Sequence, residues 1–334
     1  MTSLNLTLLL FILVNLFFVI NFDKLLFFRS ILDKPDKKRK FHLKATPLAG
    51  GIILIINLLI YFITMSLSKE LLLNEVFFSN SFELHIFIIS SFIIFFIGIF
   101  DDKYNLTPNY KFLLLFITIS ATLIFDQNLL ISSINFSFYD GAINIKRFSL
   151  FFSLFCFLVF LNAFNMFDGI NLQASIYSII IFSFILFYFT NSYLLKILLI
   201  YLIFYSYLNF KNKSFLGDGG SLLIAFLISY IFIKLYNIGQ IKYTDEIFIF
   251  MMVPGLDLIR VFFKRILNHK NPLKPDRSHL HHLLSSKYTP FKSLMIIQLI
   301  IIIPIVLSQL EIDRLLIILA TIFCYSLIIY KLSK

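Results

Sequence analysis

Apolar runs of membrane-spanning length follow one another through this chain with few interruptions. Eleven can be marked, at roughly 3–22, 47–67, 82–100, 111–125, 149–166, 174–190, 194–210, 219–236, 245–262, 291–308 and 313–330. About 20 apolar residues in helical form cross the hydrocarbon core of a bilayer, and about 17 is the lower limit. Lipid offers the backbone no hydrogen-bond partner, and strand-like alternation is absent from these runs, so they are predicted to be helices. Composition agrees: 59% of the 334 residues are hydrophobic and 14% charged, against about 25% charged in a soluble chain. The expectation is one all-α integral membrane domain, 1–334, with about eleven transmembrane helices or, as the alternative count, ten.

The net charge of +11 invites a nucleic-acid reading, but its placement argues against one. Take the N-terminus as outside and the C-terminus as cytoplasmic. Loops 23–46, 101–111, 162–173, 211–218, 260–292 and the tail then hold 22 of the 29 Lys and Arg residues, while the 18 acids divide evenly between the two sides. A bias in bases without one in acids marks cytoplasmic loops. The N-terminal run lacks a basic leader and a small-residue cleavage site ahead of Asp23-Lys24, so it reads as a retained first span. Cys156 and Cys324 fall in apolar runs and read as buried thiols. The alternating stretch 134–145, with Asp140-Gly141 inside it, predicts a small β-hairpin on the outer side.

Polar residues gather where the apolar runs break, and four such breaks map to the cytoplasmic side. Asp101-Asp102 ends one run. A helix C-terminus carries partial negative charge, so two acids there call for a cation; the bland alternative is a solvated loop with Lys103 as neutraliser. Asn162, Asn165, Asp168 and Asn171 cluster at a second break, where Gly169 can supply a left-handed cap. Amides and an acid at membrane depth are costly and favour function over simple capping. Asp218 stands among Gly217, Gly219 and Gly220 at a third. It is an ordinary N-cap candidate, yet glycines at a helix N-terminus also admit a phosphate or metal. The fourth break carries Arg277, His279, His281 and His282. Imidazoles suit zinc, phosphate contact or proton transfer. In a helix, His279 and His282 would share a face and His281 would point elsewhere. Asp257 and Arg260, three apart, are either an intrahelical salt bridge or an Arg reaching a phosphate. The basic loop 34–44 is mostly a topology signal, and Gly50-Gly51 permits close helix packing.

In this order the motifs resemble the polyprenyl-phosphate N-acetylhexosamine-1-phosphate transferases, the superfamily of WecA and MraY. The matches are Arg39-Lys40-Phe41-His42 through Pro47 and Gly50-Gly51, Gly98 to Asp102, Asn162 to Asn171, Gly217 to Ser221, and Pro275 to His282. His-Leu-His-His resembles the WecA side. Asn171-Leu172-Gln173 departs from the family in lacking the glycine that usually follows this asparagine.

The resemblance implies a catalytic core over 34–290, built from the cytoplasmic loops, in a multi-pass protein of a bacterial inner membrane. It implies transfer of a sugar-1-phosphate from a UDP-sugar to polyprenyl phosphate, with release of UMP. Magnesium is the implied cofactor, with manganese as an alternative ion; a homodimer is one assembly left open. Asp101, Asp102 and Asp218 become the catalytic acids, with Asp218 and Asp102 as metal ligands. Asn162, Asn165, Asp168 and Asn171 would line the nucleotide side. His279, His281, His282 and Arg277 would meet donor phosphates or sugar, with Lys44 and Arg260 as further phosphate contacts. Two alternatives are carried: the phospho-N-acetylmuramoyl-pentapeptide transferase reaction, and a polytopic secondary transporter. Transporters place ionisable groups near the midplane, whereas these acids fall at span ends.

Overall fold

The computed structural model describes residues 3–25, 31–33, 45–269, 277–310 and 312–333. The chain begins with α1 (Ser3–Asn21), the paired strands β1 (Leu32–Asp33) and β2 (Thr46–Pro47), and α2 (Gly50–Leu67). A short α3 (Lys69–Leu73) leads to α4 (Ser81–Tyr104) and α5 (Pro108–Phe125). Strands β3 (Ser133–Asn135) and β4 (Ala142–Asn144) precede α6 (Ser149–Phe167), α7 (Gln173–Tyr188), α8 (Tyr193–Phe210), α9 (Gly217–Asn237) and α10 (Thr244–Leu267). Then follow α11 (Leu280–Lys287), α12 (Pro290–Ser308) and α13 (Arg314–Ser333).

This is an all-α membrane protein. Among the described residues, eight helices are long and apolar enough to cross a membrane: α2, α4, α5, α6, α8, α9, α12 and α13. The other expected spans fall on helices of different character. α1 and α7 are shorter apolar helices. α10 has the length, but it carries Asp245, Glu246, Asp257, Arg260, Lys264 and Arg265.

α9 is the axis of the bundle. Every residue from Gly219 to Leu235 is buried, and α4, α6 and α2 pack around it. A helix that is apolar all round belongs inside. Two glycines set the distance of approach. A Cβ on Gly98 of α4 would overlap the backbone of Asp218 and Gly219, and one on Gly51 of α2 would overlap Gly220. Peripheral helices instead turn apolar side chains outward. Phe323 and Leu319 of α13 and Phe125 of α5 are exposed. Cys324 is likewise exposed and Cys156 partly so. That corrects the expectation of two buried thiols, because an apolar run can face lipid as readily as core.

Buried polar contacts fix the register of the helices. Asn15 of α1 and Asn57 of α2 exchange amide hydrogen bonds of 2.7 and 3.2 Å. At the end of α9 away from Asp218, Lys234 pairs with Glu83 at 2.7 Å and Asp126 at 2.9 Å. There too, β3 and β4 pair antiparallel with Ile134 opposite Ile143. Residues 136–141 join them, so Asp140-Gly141 closes a longer loop and not a two-residue turn. The reason is a competing partner. Thr244 Oγ1 donates to Asn135 O at 2.7 Å, and Ser137 N donates to Asp245 at 3.0 Å, which ties the loop to α10.

Candidate active site

The site is built from helix ends. α4 does not break at its acids: it runs on through Asp101 and Asp102 and stops at Asn105, which is left-handed at φ 51°. Thr107-Pro108 then starts α5, with Pro at the first turn, where its missing N–H costs nothing. The tight turn brings Lys111 back against the acids. Its Nζ lies 2.8 Å from Asp101 Oδ2 and also bonds Asp218 Oδ2.

Two acids at the C-terminus of α4 oppose that helix's own dipole. The neighbouring helix compensates. Asp102 accepts from the backbone N–H of Asp218 at 2.9 Å and of Gly219 at 3.2 Å. Asp218 is therefore not the N-cap of α9. It sits inside the first turn, Asp102 caps that turn from across the interface, and the Asp218 carboxylate is left free to face Lys111. Gly217 turns the chain into α9 at φ 72°, and a side chain there would meet Asp102.

From α6, the Asn165 amide completes the corner. Oriented to match its neighbours, with nitrogen and oxygen exchanged, it donates to Ser221 Oγ at 2.6 Å and Asp218 Oδ1 at 3.2 Å and accepts from Lys111 Nζ at 2.9 Å. Asp168, at the C-cap of α6, stands in the same cavity wall. Burial, then the charge of Asp218, pushes its carboxyl up to about 7. Asn162 donates back to Leu158 O at 2.7 Å within α6, and it too lines the cavity. Asn171 is held by Asn212 Oδ1 at 2.6 Å.

Gly169 is not the left-handed cap. Leu172 takes that conformation at φ 68°, where Asn209 Oδ1 holds its backbone N–H at 2.6 Å. Gly169 has another purpose: a Cβ on it would overlap the His281 ring. That contact joins the fourth motif to the acids. His279 precedes α11 in extended conformation, so the expected face is wrong. The parallel rings are those of His279 and His281, 5.9 Å apart with 4° between planes. His281 is buried. Burial, followed by the charges of His282 and His279, pushes its ring down to about 3, so it is neutral at physiological pH.

One cavity of about 2390 Å³ is lined by the acids, the amides and the three histidines. Arg260 does not line it. Its Nη2 lies 2.6 Å from Asp257, and the intrahelical bridge is the form present. Arg277 is exposed and outside the lining. Lys44, with the rest of the basic loop 34–44, lies outside the described residues. Asp101, Asp102, Asp168 and Asp218 form an oxygen-rich corner in which Lys111 is the paired cation. Such a donor set has the chemistry of a hard divalent-ion site. Among the described residues no three metal-binding side chains stand in ligand geometry, and Lys111 lies between Asp101 and Asp218.

Residues 84–236 match the family model described as "Glycosyl transferase family 4". That segment runs from α4 to the end of α9 and holds the acid corner. The family resemblance is borne out. The chain is 24% identical over 271 residues to the undecaprenyl-phosphate alpha-N-acetylglucosaminyl 1-phosphate transferase of Salmonella typhi, covering 76% of this chain and 69% of the relative. It is 27% identical over 271 residues to the protein of that name from Thermotoga maritima, covering 80% and 77%. To the one from Escherichia coli K12 it is 27% identical over 202 residues, covering 57% and 54%.

Sequence reasoning assigned no role to Lys111 or Asn209, and none to Ser221 beyond its place in the Gly217 to Ser221 motif. For Lys111 a signal existed: a Pro-started helix four residues after α4 must fold back antiparallel. The others depend on tertiary neighbours.

Proposed function

We propose that this protein moves a sugar-1-phosphate of the N-acetylhexosamine type from a UDP-sugar to a polyprenyl phosphate, at the cytoplasmic membrane face of a bacterial cell, with release of UMP. The carrying observation is the shape of the cavity. From the acid corner it continues between α6, α9 and α10, past Phe232, Met251 and Phe248, to Tyr236 and Phe138 at the far end of α9. Asp218 and Tyr236 are 18 helical steps apart, or about 27 Å, close to the thickness of a bilayer core, about 30 Å. A trough with charge chemistry at one end and apolar walls beyond suits a phosphate borne on a long isoprenoid tail. The names of the relatives favour N-acetylglucosamine as the sugar.

In this reading an oxygen of the lipid phosphate attacks the sugar-bearing phosphorus, the bond to the UMP oxygen breaks, and UMP leaves. Both reactants are anions. Lys111 would offset part of their repulsion from the protein side, and Asp101, hydrogen-bonded to Lys111, would take a proton from the lipid phosphate. Asp218 and Asp102 would hold a magnesium ion, which when bound neutralises phosphate charge. Neutral His281 and its neighbours offer ring nitrogens to the donor, and the trough holds the acceptor's phosphate at the rim, which raises its effective concentration.

The test is UMP release from a panel of UDP-sugars, including UDP-N-acetylglucosamine and UDP-muramyl-pentapeptide, with polyprenyl phosphate and with or without magnesium. Release that needs lipid, magnesium and an N-acetylhexosamine donor supports the proposal. Release from the pentapeptide donor alone moves the chain to the muramyl branch. A phosphosugar trapped on the protein without lipid would replace direct attack by a covalent route.

A further inference from the structure

One buried carboxylate has no part in the transfer just described. Asp257 of α10 is 5% exposed, and everything that binds it comes from the histidine segment, from Arg260 or from the last helix. Its Oδ1 accepts from Arg260 Nη2 at 2.6 Å, Tyr325 OH at 2.7 Å and Leu280 N at 3.1 Å. Its Oδ2 accepts from His279 Nδ1 at 2.7 Å and Leu280 N at 3.2 Å. Arg260 also donates to Ser278 O at 2.6 Å and, through Nε, to Tyr325 OH at 2.9 Å.

Arg260 already neutralises Asp257, so the His279 contact is not needed for charge balance. It has a directional consequence. A carboxylate that accepts from Nδ1 fixes which ring nitrogen carries the proton there and turns Nε2 away from it. The rings of His279 and His281 are parallel, both line the cavity, and His281 rests on Gly169 beside the acid corner. We propose that Asp257, braced by Arg260 and by Tyr325 of α13, is a positioning residue that fixes the His279 ring and tautomer, and through it the imidazole row presented to the donor phosphates; this rests on the transfer reaction proposed above. It also gives the last helix a purpose in the site, since Tyr325 supplies one of the braces.

The competing reading is that Asp257 merely caps α11 through Leu280 N. An Asn would serve as well as an Asp for that purpose, which makes Asp257→Asn the discriminating change. UMP release is measured for the wild type, Asp257→Asn, His279→Gln and the double variant in detergent, with amounts set by folded protein in thermal unfolding. Asp257→Asn is expected to lower kcat by about 10- to 100-fold, the usual range for a residue that orients a ligand from behind, with donor KM changed less than about 3-fold. Adding it to His279→Gln is expected to cost less than about 3-fold more, because the two act as one unit. If Asp257→Asn does not accumulate folded, Asp257→Glu, which keeps the charge and displaces it, supplies the same cycle. Wild-type kcat in the single variant, or single losses that multiply in the double variant, would overturn the inference while leaving the proposed function standing. A wild type that releases no UMP would overturn both.

Discussion

Asp102 caps a helix to which it does not belong: from the end of α4 it accepts the backbone N–H of Asp218, 116 residues on, at 2.9 Å. The C-terminal end of one dipole is set against the N-terminal end of another, and the acid between them is favoured by the second. Asp102→Asn keeps an acceptor and is expected to lower stability by less than about 1 kcal/mol, while Asp102→Leu is expected to cost about 1 to 2 kcal/mol. Both are expected to abolish UMP release. Thermal unfolding in detergent alongside the activity assay checks the pair.

Lys111 bridges Asp101 and Asp218 and cancels part of their mutual repulsion, and a divalent ion on Asp218 could do the same. Lys111→Gln leaves two neighbouring carboxylates without their ammonium, a change of the kind that costs about 3 to 5 kcal/mol when fully buried. Partial exposure of Asp218 makes the expected loss smaller. Magnesium is expected to recover more thermal stability in this variant than in the wild type. An equal magnesium shift in both proteins would deny that the ion and the ammonium share Asp218.

Gly169 and His281 occupy complementary space. Gly169→Ala forces the His281 ring to move, an overpacking of the kind that costs about 1 to 3 kcal/mol, and UMP release is expected to fall with it. Combining it with His281→Ala is expected to restore the unfolding temperature to that of His281→Ala alone. Additive losses would show that the two do not touch.

Leu172 is left-handed without being glycine, which costs about 1 to 2 kcal/mol. Leu172→Gly is expected to stabilise the protein by roughly 0.5 to 1 kcal/mol after glycine's larger unfolded-state entropy is counted. Leu172→Val, branched at Cβ, is expected to destabilise it. Unfolding midpoints of the two variants decide.

His281 titrates at about 3 in the folded protein because it is buried, and at about 6.5 when unfolded. A depressed folded value means that the unfolded chain binds the proton first. Its contribution to stability is complete above about 6.5 and is lost as pH falls toward 3, at no more than about 1.4 kcal/mol per unit. His281→Gln is expected to flatten the acid limb of stability against pH. An unchanged limb would mean that the ring is hydrated.

Much of this was legible in the sequence for a physical reason. Lipid forbids unpaired backbone, so apolar length alone names the helices, and acids at membrane depth are too costly to be incidental. What length could not give was the ends. The sequence showed a break at Asp101, but hydrogen bonding carries α4 to Tyr104, since Asp102 has an external dipole to face. Gly169 looked like a cap because glycine tolerates positive φ; the chain needed its small volume against His281 instead. Arg260 could bridge Asp257 or reach a phosphate; what holds it on Asp257 includes Tyr325, 65 residues away, which nothing local reveals. Side-chain partners across helices have no periodicity to betray them.

Sidedness decides whether the acids and histidines form one cytosolic site. Single cysteines at Tyr104, Arg277 and Tyr139, all exposed positions, would be placed in a background lacking Cys156 and Cys324, and treated with an impermeant thiol reagent in intact cells and in inverted membrane vesicles. The expected result is labelling of positions 104 and 277 only in inverted vesicles and of position 139 only in intact cells. Labelling of 104 and 277 from opposite sides would contradict a shared site.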